Sequence, residues 1–205
     1  MTPPDAPARP DRAVFLDKDG TLIVDVPYNV DPALIRLAPG AASALPRLHA
    51  AGYRLVVITN QSGVARGRFG VEALGPVEAR LRELLAGLGV PLAGFRFCPH
   101  HPDGSVAEYA VACDCRKPAP GMVVRAADEL GIDPARSWFV GDILNDVEAG
   151  RRAGCRAILL DVGHETEWLP GPDRAPDFTA VDLDEAATLI LHADADAANP
   201  AGAPA

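Results

Sequence analysis

Five short runs of apolar, largely β-branched or aromatic residues punctuate the chain: Ala13 to Leu16, Tyr53 to Thr59, Phe95 to Phe97, Trp138 to Val140 and Ala157 to Leu160. Each is bounded by polar or turn residues and is too short for a buried helix, so each predicts a buried strand. Between them the apolar spacing becomes helical. Leu74, Val77, Leu81, Leu84, Leu85 and Leu88 fall on one face, and Met122 to Leu130 and Asp146 to Ala153 behave similarly. Ala41 to Ala51 also reads as a helix, with Pro46 expected to shorten or kink it. Strand alternating with helix predicts an α/β fold. Its form is a three-layer, Rossmann-like parallel sheet covered on both faces, with binding groups gathered at the carboxyl ends of the strands. After Leu191 the apolar periodicity stops, so residues 192–205 are expected to form a disordered tail, and the Pro- and Ala-rich residues 1–11 a flexible start. That leaves a single domain over residues 12–191, without an internal repeat.

Composition narrows the function classes. A chain of 205 residues, 48% hydrophobic, can bury one sizeable core. Its net charge of -9 works against nucleic acid and anionic membranes as partners, so a small anionic substrate would need a local positive site. Apolar runs such as Leu55 to Ile58 and Ala157 to Leu160 are far too short to cross a bilayer, and Met1 to Asp11 lacks the features of a secretory signal. These features predict a cytoplasmic protein, and a monomer is expected. Four cysteines are few for a disulfide scaffold, and three of them crowd into one segment, which points to metal. Cys155 stands apart and reads as a small core residue.

The first strand runs out into Asp17-Lys18-Asp19-Gly20-Thr21, placing two carboxylates two residues apart where the chain turns into a loop. Solvated acids in an Asx turn are the plain alternative. A calcium loop is another, but the upstream strand and the missing closing glutamate argue against it. The second strand delivers Thr59, Asn60, Gln61, Ser62 and Gly63, a hydroxyl, amides and a glycine suited to phosphate oxygens. A helix cap is the competing reading there.

The Asp-x-Asp-Gly-Thr segment resembles the haloacid dehalogenase (HAD) superfamily of phosphatases, and the match to that pattern is complete. The resemblance implies that Asp17 is a nucleophile, phosphorylated in turn, and that Asp19 protonates the leaving alcohol and then activates water. It implies that Thr59 binds the transferring phosphoryl group and that Asn60, Gln61 and Ser62 help hold the substrate. It also gives Lys117, in Arg116-Lys117-Pro118, a place beside the phosphate. The electrostatics agree, because a carboxylate about 4 Å from a phosphate dianion is repelled by roughly 8 kcal/mol at an effective dielectric near 20. Lys117 and a divalent metal are the candidates to offset that repulsion. Asp142, just after the fourth strand, is expected to bind Mg2+ with Asp17 and the backbone carbonyl of Asp19. Asp146 reads equally as a support for that shell and as a solvated acid in the first turn of a helix.

Cys98, Cys113 and Cys115 with His100 or His101 offer a closed structural zinc site, which would pin a long loop, residues 98–115, whose far end carries Arg116 and Lys117. Buried unbound thiols are the alternative. The whole set, with Cys98-Pro99-His100-His101-Pro102 and Cys113-Asp114-Cys115-Arg116-Lys117-Pro118, is similar to the D-glycero-D-manno-heptose-1,7-bisphosphate 7-phosphatase family over about Ala13 to Asp161. The resemblance favours His100 as the zinc ligand. Related histidinol-phosphate phosphatases share much of the pattern. No insertion is long enough for a large cap domain, so short loops must select the substrate. Arg116 would recognise a second phosphate, and Asp25 and Tyr28 would hydrogen-bond a polyhydroxylated sugar. With histidinol phosphate, Asp25 would instead meet a cationic group. Ile143 departs from the polar or basic residue expected after the metal-binding acid, which weakens the carry-over of a substrate contact to that position. A noncatalytic zinc-stabilised binding module is the remaining alternative.

Overall fold

The structure, a computed structural model, describes residues 11–198. Six parallel strands form one sheet in the order β3-β2-β1-β4-β5-β6. They are β1 Arg12–Leu16, β2 Tyr53–Asn60, β3 Leu92–Cys98, β4 Trp138–Gly141, β5 Arg156–Leu160 and β6 Phe178–Ala180. The five expected strands are all present. The sixth, Phe178–Ala180, is only three residues long and too short to leave a pattern.

The helices are α1 Ala41–Ala50, α2 Leu74–Ala86, α3 Gly121–Leu130, α4 Leu144–Arg152 and α5 Leu183–Ala198. Side chains of β1 and β2 alternate between two cores, as strand geometry requires. Val14, Leu16, Leu55 and Val57 pack with α1, α2 and α5 through residues such as Leu45, Leu81 and Ile190. Ala13, Phe15, Val56 and Ile58 face the other way, onto Met122, Val123 and Ala126 of α3, while Leu144 and Val147 of α4 cover Ala157 and Leu159. These are the three expected layers.

Two expectations are corrected. Pro46 does not end α1, which continues to Ala50 because Ala41, Ala44, Leu45 and Leu48 are buried against the sheet. That burial offsets the backbone bond that proline cannot make. The chain beyond Leu191 does not fray where its apolar periodicity stops, since α5 runs on to Ala198. Asp194 explains part of this: its carboxylate pairs with Arg12 and accepts a 2.7 Å hydrogen bond from the Tyr53 hydroxyl. Residues 1–10 and 199–205 lie outside the described residues. No helix among the described residues is long and apolar enough to cross a membrane.

The sheet order places the site. β1 lies between β2 and β4, with Leu16 opposite both Val57 and Val140. The next residues of all three strands therefore emerge along one edge, where the strand order reverses direction.

Candidate active site

Asp17 follows β1 directly, its N–H donating to the Val140 carbonyl at 3.0 Å. The loop then folds back on itself, with Leu22 and Ile23 donating to the Lys18 carbonyl. Gly20 makes this possible in two ways. Its φ of +82° is a left-handed conformation, and a Cβ there would stand 2.3 Å from Asp142 Oδ2. Thr21 sends its hydroxyl to Asp142 Oδ1 at 3.0 Å, joining the loops after β1 and β4.

Lys117 is 3% exposed, and its ammonium has three partners. Asp17 Oδ1 lies at 2.7 Å, Asp146 Oδ1 at 2.6 Å, and the Ile58 carbonyl at 3.1 Å. Burial alone would lower the Lys117 pKa, but the carboxylates of Asp146 and Asp17 outweigh it and hold the amine charged. The Lys117 backbone is fixed in turn by Asn60, whose side-chain amide donates to the Lys117 carbonyl and accepts from its N–H.

Asp146 is fully buried in the first turn of α4, where it accepts from the Ile143 N–H at 3.3 Å. The reading of Asp146 as a solvated acid is therefore excluded. Gly141 allows this approach, because a Cβ at that position would sit 2.2 Å from the Asp146 Cβ. Oxygens of Asp17, Asp142 and Asp146 lie within 4.8 Å of one another. Burial first, then the charge of Asp17, pushes Asp142 up to about 6. Burial also pushes Asp146 up to about 7, against the pull of Lys117. A buried all-oxygen set with more negative charge than one lysine can balance fits a hard divalent cation such as Mg2+.

Asp19 turns away from this cluster. It pairs with the Lys18 ammonium at 2.5 Å and accepts from Gln61 Nε2 at 3.1 Å. Gln61 also donates to Thr59 Oγ1 at 2.9 Å. Burial raises the Asp19 pKa, and the opposing charge of Lys18 does not cancel the effect. A cleft above Asp19 is lined by Asp25, Tyr28, Asn60, Gln61 and Ser62, which brings the expected sugar-binding residues together. Tyr28 sits at φ +57°, unusual for a bulky residue, with the Arg68 guanidinium 5.6 Å from its ring centroid. Arg116 is not in this cleft. It lies in a neighbouring groove with His101 and Lys117.

The cysteine cluster forms a second centre. Cys115 Sγ is 2.9 Å from Cys98 Sγ and 3.2 Å from Cys113 Sγ, and His100 Nδ1 is 3.3 Å from Cys115 Sγ. Four ligands around zinc, with Zn–S near 2.3 Å, would put the sulfurs about 3.8 Å apart. The cluster thus converges slightly more tightly than a filled site and is compatible with zinc. Of the two histidines, His100 turns its ring to the thiols. His101 turns away, with Nδ1 accepting from the Asp103 N–H at 3.1 Å. Cys155 is a buried core residue, as expected.

Several site residues carried no sequence signal. Lys18 is a buried cation inside the acidic motif. His164 comes from the loop after β5 and places Nδ1 2.6 Å from Asp142 Oδ2. Beside it Glu165 accepts from the Leu144 N–H at the start of α4. Only Thr21 belonged to a recognisable motif.

The fold and the acid cluster define a class, and comparison with known proteins agrees. Residues 114–186 match the family described as "HAD-hyrolase-like". The D-glycero-beta-D-manno-heptose-1,7-bisphosphate 7-phosphatase of Yersinia pestis is 46% identical over 148 residues, covering 72% of this chain and 79% of the relative. The enzyme of the same name from Escherichia coli (strain K12) is 39% identical over 184 residues, 90% of each chain. The crystal structure of D,D-heptose 1.7-bisphosphate phosphatase from B. bronchiseptica, complexed with magnesium and phosphate, superposes with a TM-score of 0.71 at 31% identity. It covers 89% of this chain and 99% of that one. The chain belongs to the heptose-1,7-bisphosphate 7-phosphatase family of HAD-like hydrolases and is a phosphatase.

Proposed function

We propose that the chain removes the 7-phosphate of D-glycero-β-D-manno-heptose 1,7-bisphosphate through an aspartyl-phosphate on Asp17. The observation that carries this reading is the Lys117 ammonium, bound at once to Asp17 and Asp146 beside Asp142. An Asp17 oxygen attacks phosphorus as the ester P–O bond breaks, and the departing alkoxide takes a proton from Asp19. The raised proton affinity of Asp19 suits that role at neutral pH. Asp19, now ionised, removes a proton from water as the water oxygen attacks the aspartyl-phosphate, releasing phosphate and restoring Asp17. Lys117 offsets charge on the phosphoryl oxygens, the Thr59 hydroxyl binds one of them, and Asn60, Gln61 and Ser62 line the approach.

Asp17, Asp142 and the Asp19 carbonyl would hold Mg2+, which when bound supplies positive charge to the nucleophile and phosphate together. Asp146 holds Lys117 in place. Zn2+ held by Cys98, His100, Cys113 and Cys115 would brace the loop that ends in Arg116 and Lys117. Asp25 and Tyr28 meet the sugar hydroxyls, and Arg116 the second phosphate. The chain works as a single domain, a cytoplasmic monomer acting on a small phosphorylated sugar, and its net charge of -9 speaks against nucleic acid and anionic membranes as partners. The test compares kcat/KM on the heptose bisphosphate and on histidinol phosphate. A clear preference for the bisphosphate is expected, and a preference for histidinol phosphate would overturn the assignment.

A further inference from the structure

The connection between β5 and β6, residues 161–177, is long and without regular structure, yet it is fastened to α4 at several points. Arg174 donates from Nη1 to Asn145 Oδ1 at 2.9 Å and to Glu148 Oε2 at 2.7 Å, and from Nε to the Leu169 carbonyl at 2.8 Å. Arg151 reaches out from α4 to the Ala175 carbonyl at 3.1 Å. Nearer β5, Glu165 Oε2 accepts from the Leu144 N–H at 2.6 Å, which satisfies an open donor at the start of the helix. Its Oε1 accepts from the Glu167 N–H at 2.9 Å, closing the turn around it. A loop held at both ends presents its side chains in fixed places, and long ordered loops of this kind are commonly functional.

His164 is the residue that this anchoring delivers to the acid cluster. Its Nδ1 lies 2.6 Å from Asp142 Oδ2. An ionised carboxylate can only accept, so Nδ1 carries the hydrogen in this contact. The other oxygen, Oδ1, accepts from the Thr21 hydroxyl. Asp142 is thus gripped from two sides, by the loop after β1 and by the loop after β5, and the plane of its carboxylate is fixed. A carboxylate has about four lone-pair sites, so two donors leave both oxygens able to face a cation. Gly20 belongs to the same arrangement, because a Cβ there would stand 2.5 Å from His164 Nδ1 as well as against Asp142. The imidazole therefore packs directly on the acid loop. The Asp142 side chain is only 6% exposed, which sets the pair apart from a solvated surface contact.

We infer that His164 is a positioning residue of the metal site: the hydrogen on its Nδ1 locks the Asp142 carboxylate in the orientation that holds Mg2+. This rests on the reading of Asp142 as a Mg2+ ligand. The test measures the Mg2+ dissociation constant by calorimetric titration with MgCl2, using full-length wild type, His164→Ala and His164→Asn with their zinc content unchanged. Affinity should fall about tenfold or more in His164→Ala, the scale of a lost hydrogen bond to a metal-binding side chain. Asparagine places an amide nitrogen where histidine has Nδ1, so His164→Asn should recover most of that loss. A merely structural role for the loop would not separate the two variants in this way. Wild-type or higher affinity in His164→Ala, or no recovery in His164→Asn, would overturn the inference. A wild type that binds no Mg2+ would strike the metal reading of Asp142 itself, and the inference with it.

Discussion

Lys117 reaches across the site to Asp17, placing its Nζ 2.7 Å from an oxygen of the acid that follows the first strand. The two residues are a hundred positions apart and meet because β1 and β2 are neighbours and the Lys117 backbone is clasped by Asn60 at the end of β2. Replacing Lys117 by Met should therefore act twice. It removes the cation proposed to offset charge on the phosphoryl group, and kcat should fall about 10²–10³-fold. It also strands the buried Asp146 and Asp17, at about 3–5 kcal/mol of stability near neutral pH. Kinetics and chemical denaturation of the variant check both. The stability loss should shrink at acidic pH, where the stranded acids take up protons.

The acid cluster predicts a pH dependence of the metal-free protein. Asp142 at about 6 and Asp146 at about 7 bind protons more tightly in the folded state than carboxylates do in the unfolded chain. Their contribution is fully present below the unfolded carboxylate range and is lost as pH rises through about 6 to 7. Thermal melting in chelator should accordingly fall from pH 5 to pH 8, and added Mg2+ should raise Tm more at pH 8 than at pH 5. A Mg2+ effect that is equal at both pH values would contradict this.

The thiol cluster distinguishes two adjacent histidines. His100→Ala should lose bound zinc or hold it far more weakly, whereas His101→Ala should keep a full equivalent, because only the His100 ring faces the sulfurs. Metal analysis after mild chelation measures the difference. Cys113→Ser should behave as His100→Ala does.

The parts of this molecule that could be read from sequence are those with a strong local cause. The buried strands are continuous apolar runs, and Asp17, Asp19, Thr59, Lys117 and Asp142 stand in motifs at strand ends or before a helix. Residues that act through tertiary contact left no such trace. β6 has three residues, and α5 continues through an Ala-Asp stretch because Asp194 finds Arg12 and Tyr53 on other elements. His164 reaches Asp142 from a loop with no pattern of its own. Asp146 stood between two readings because only its burial, set by Gly141 and Lys117, decides between them. The choice between His100 and His101 likewise waited on the direction each ring takes.

Asp17 is the proposed nucleophile. Asp17→Asn keeps the shape of the side chain but removes the attacking carboxylate. With heptose bisphosphate and Mg2+, wild-type protein should release phosphate while Asp17→Asn falls to background with its fold and zinc content intact. Equal phosphate release by the two proteins would contradict the account.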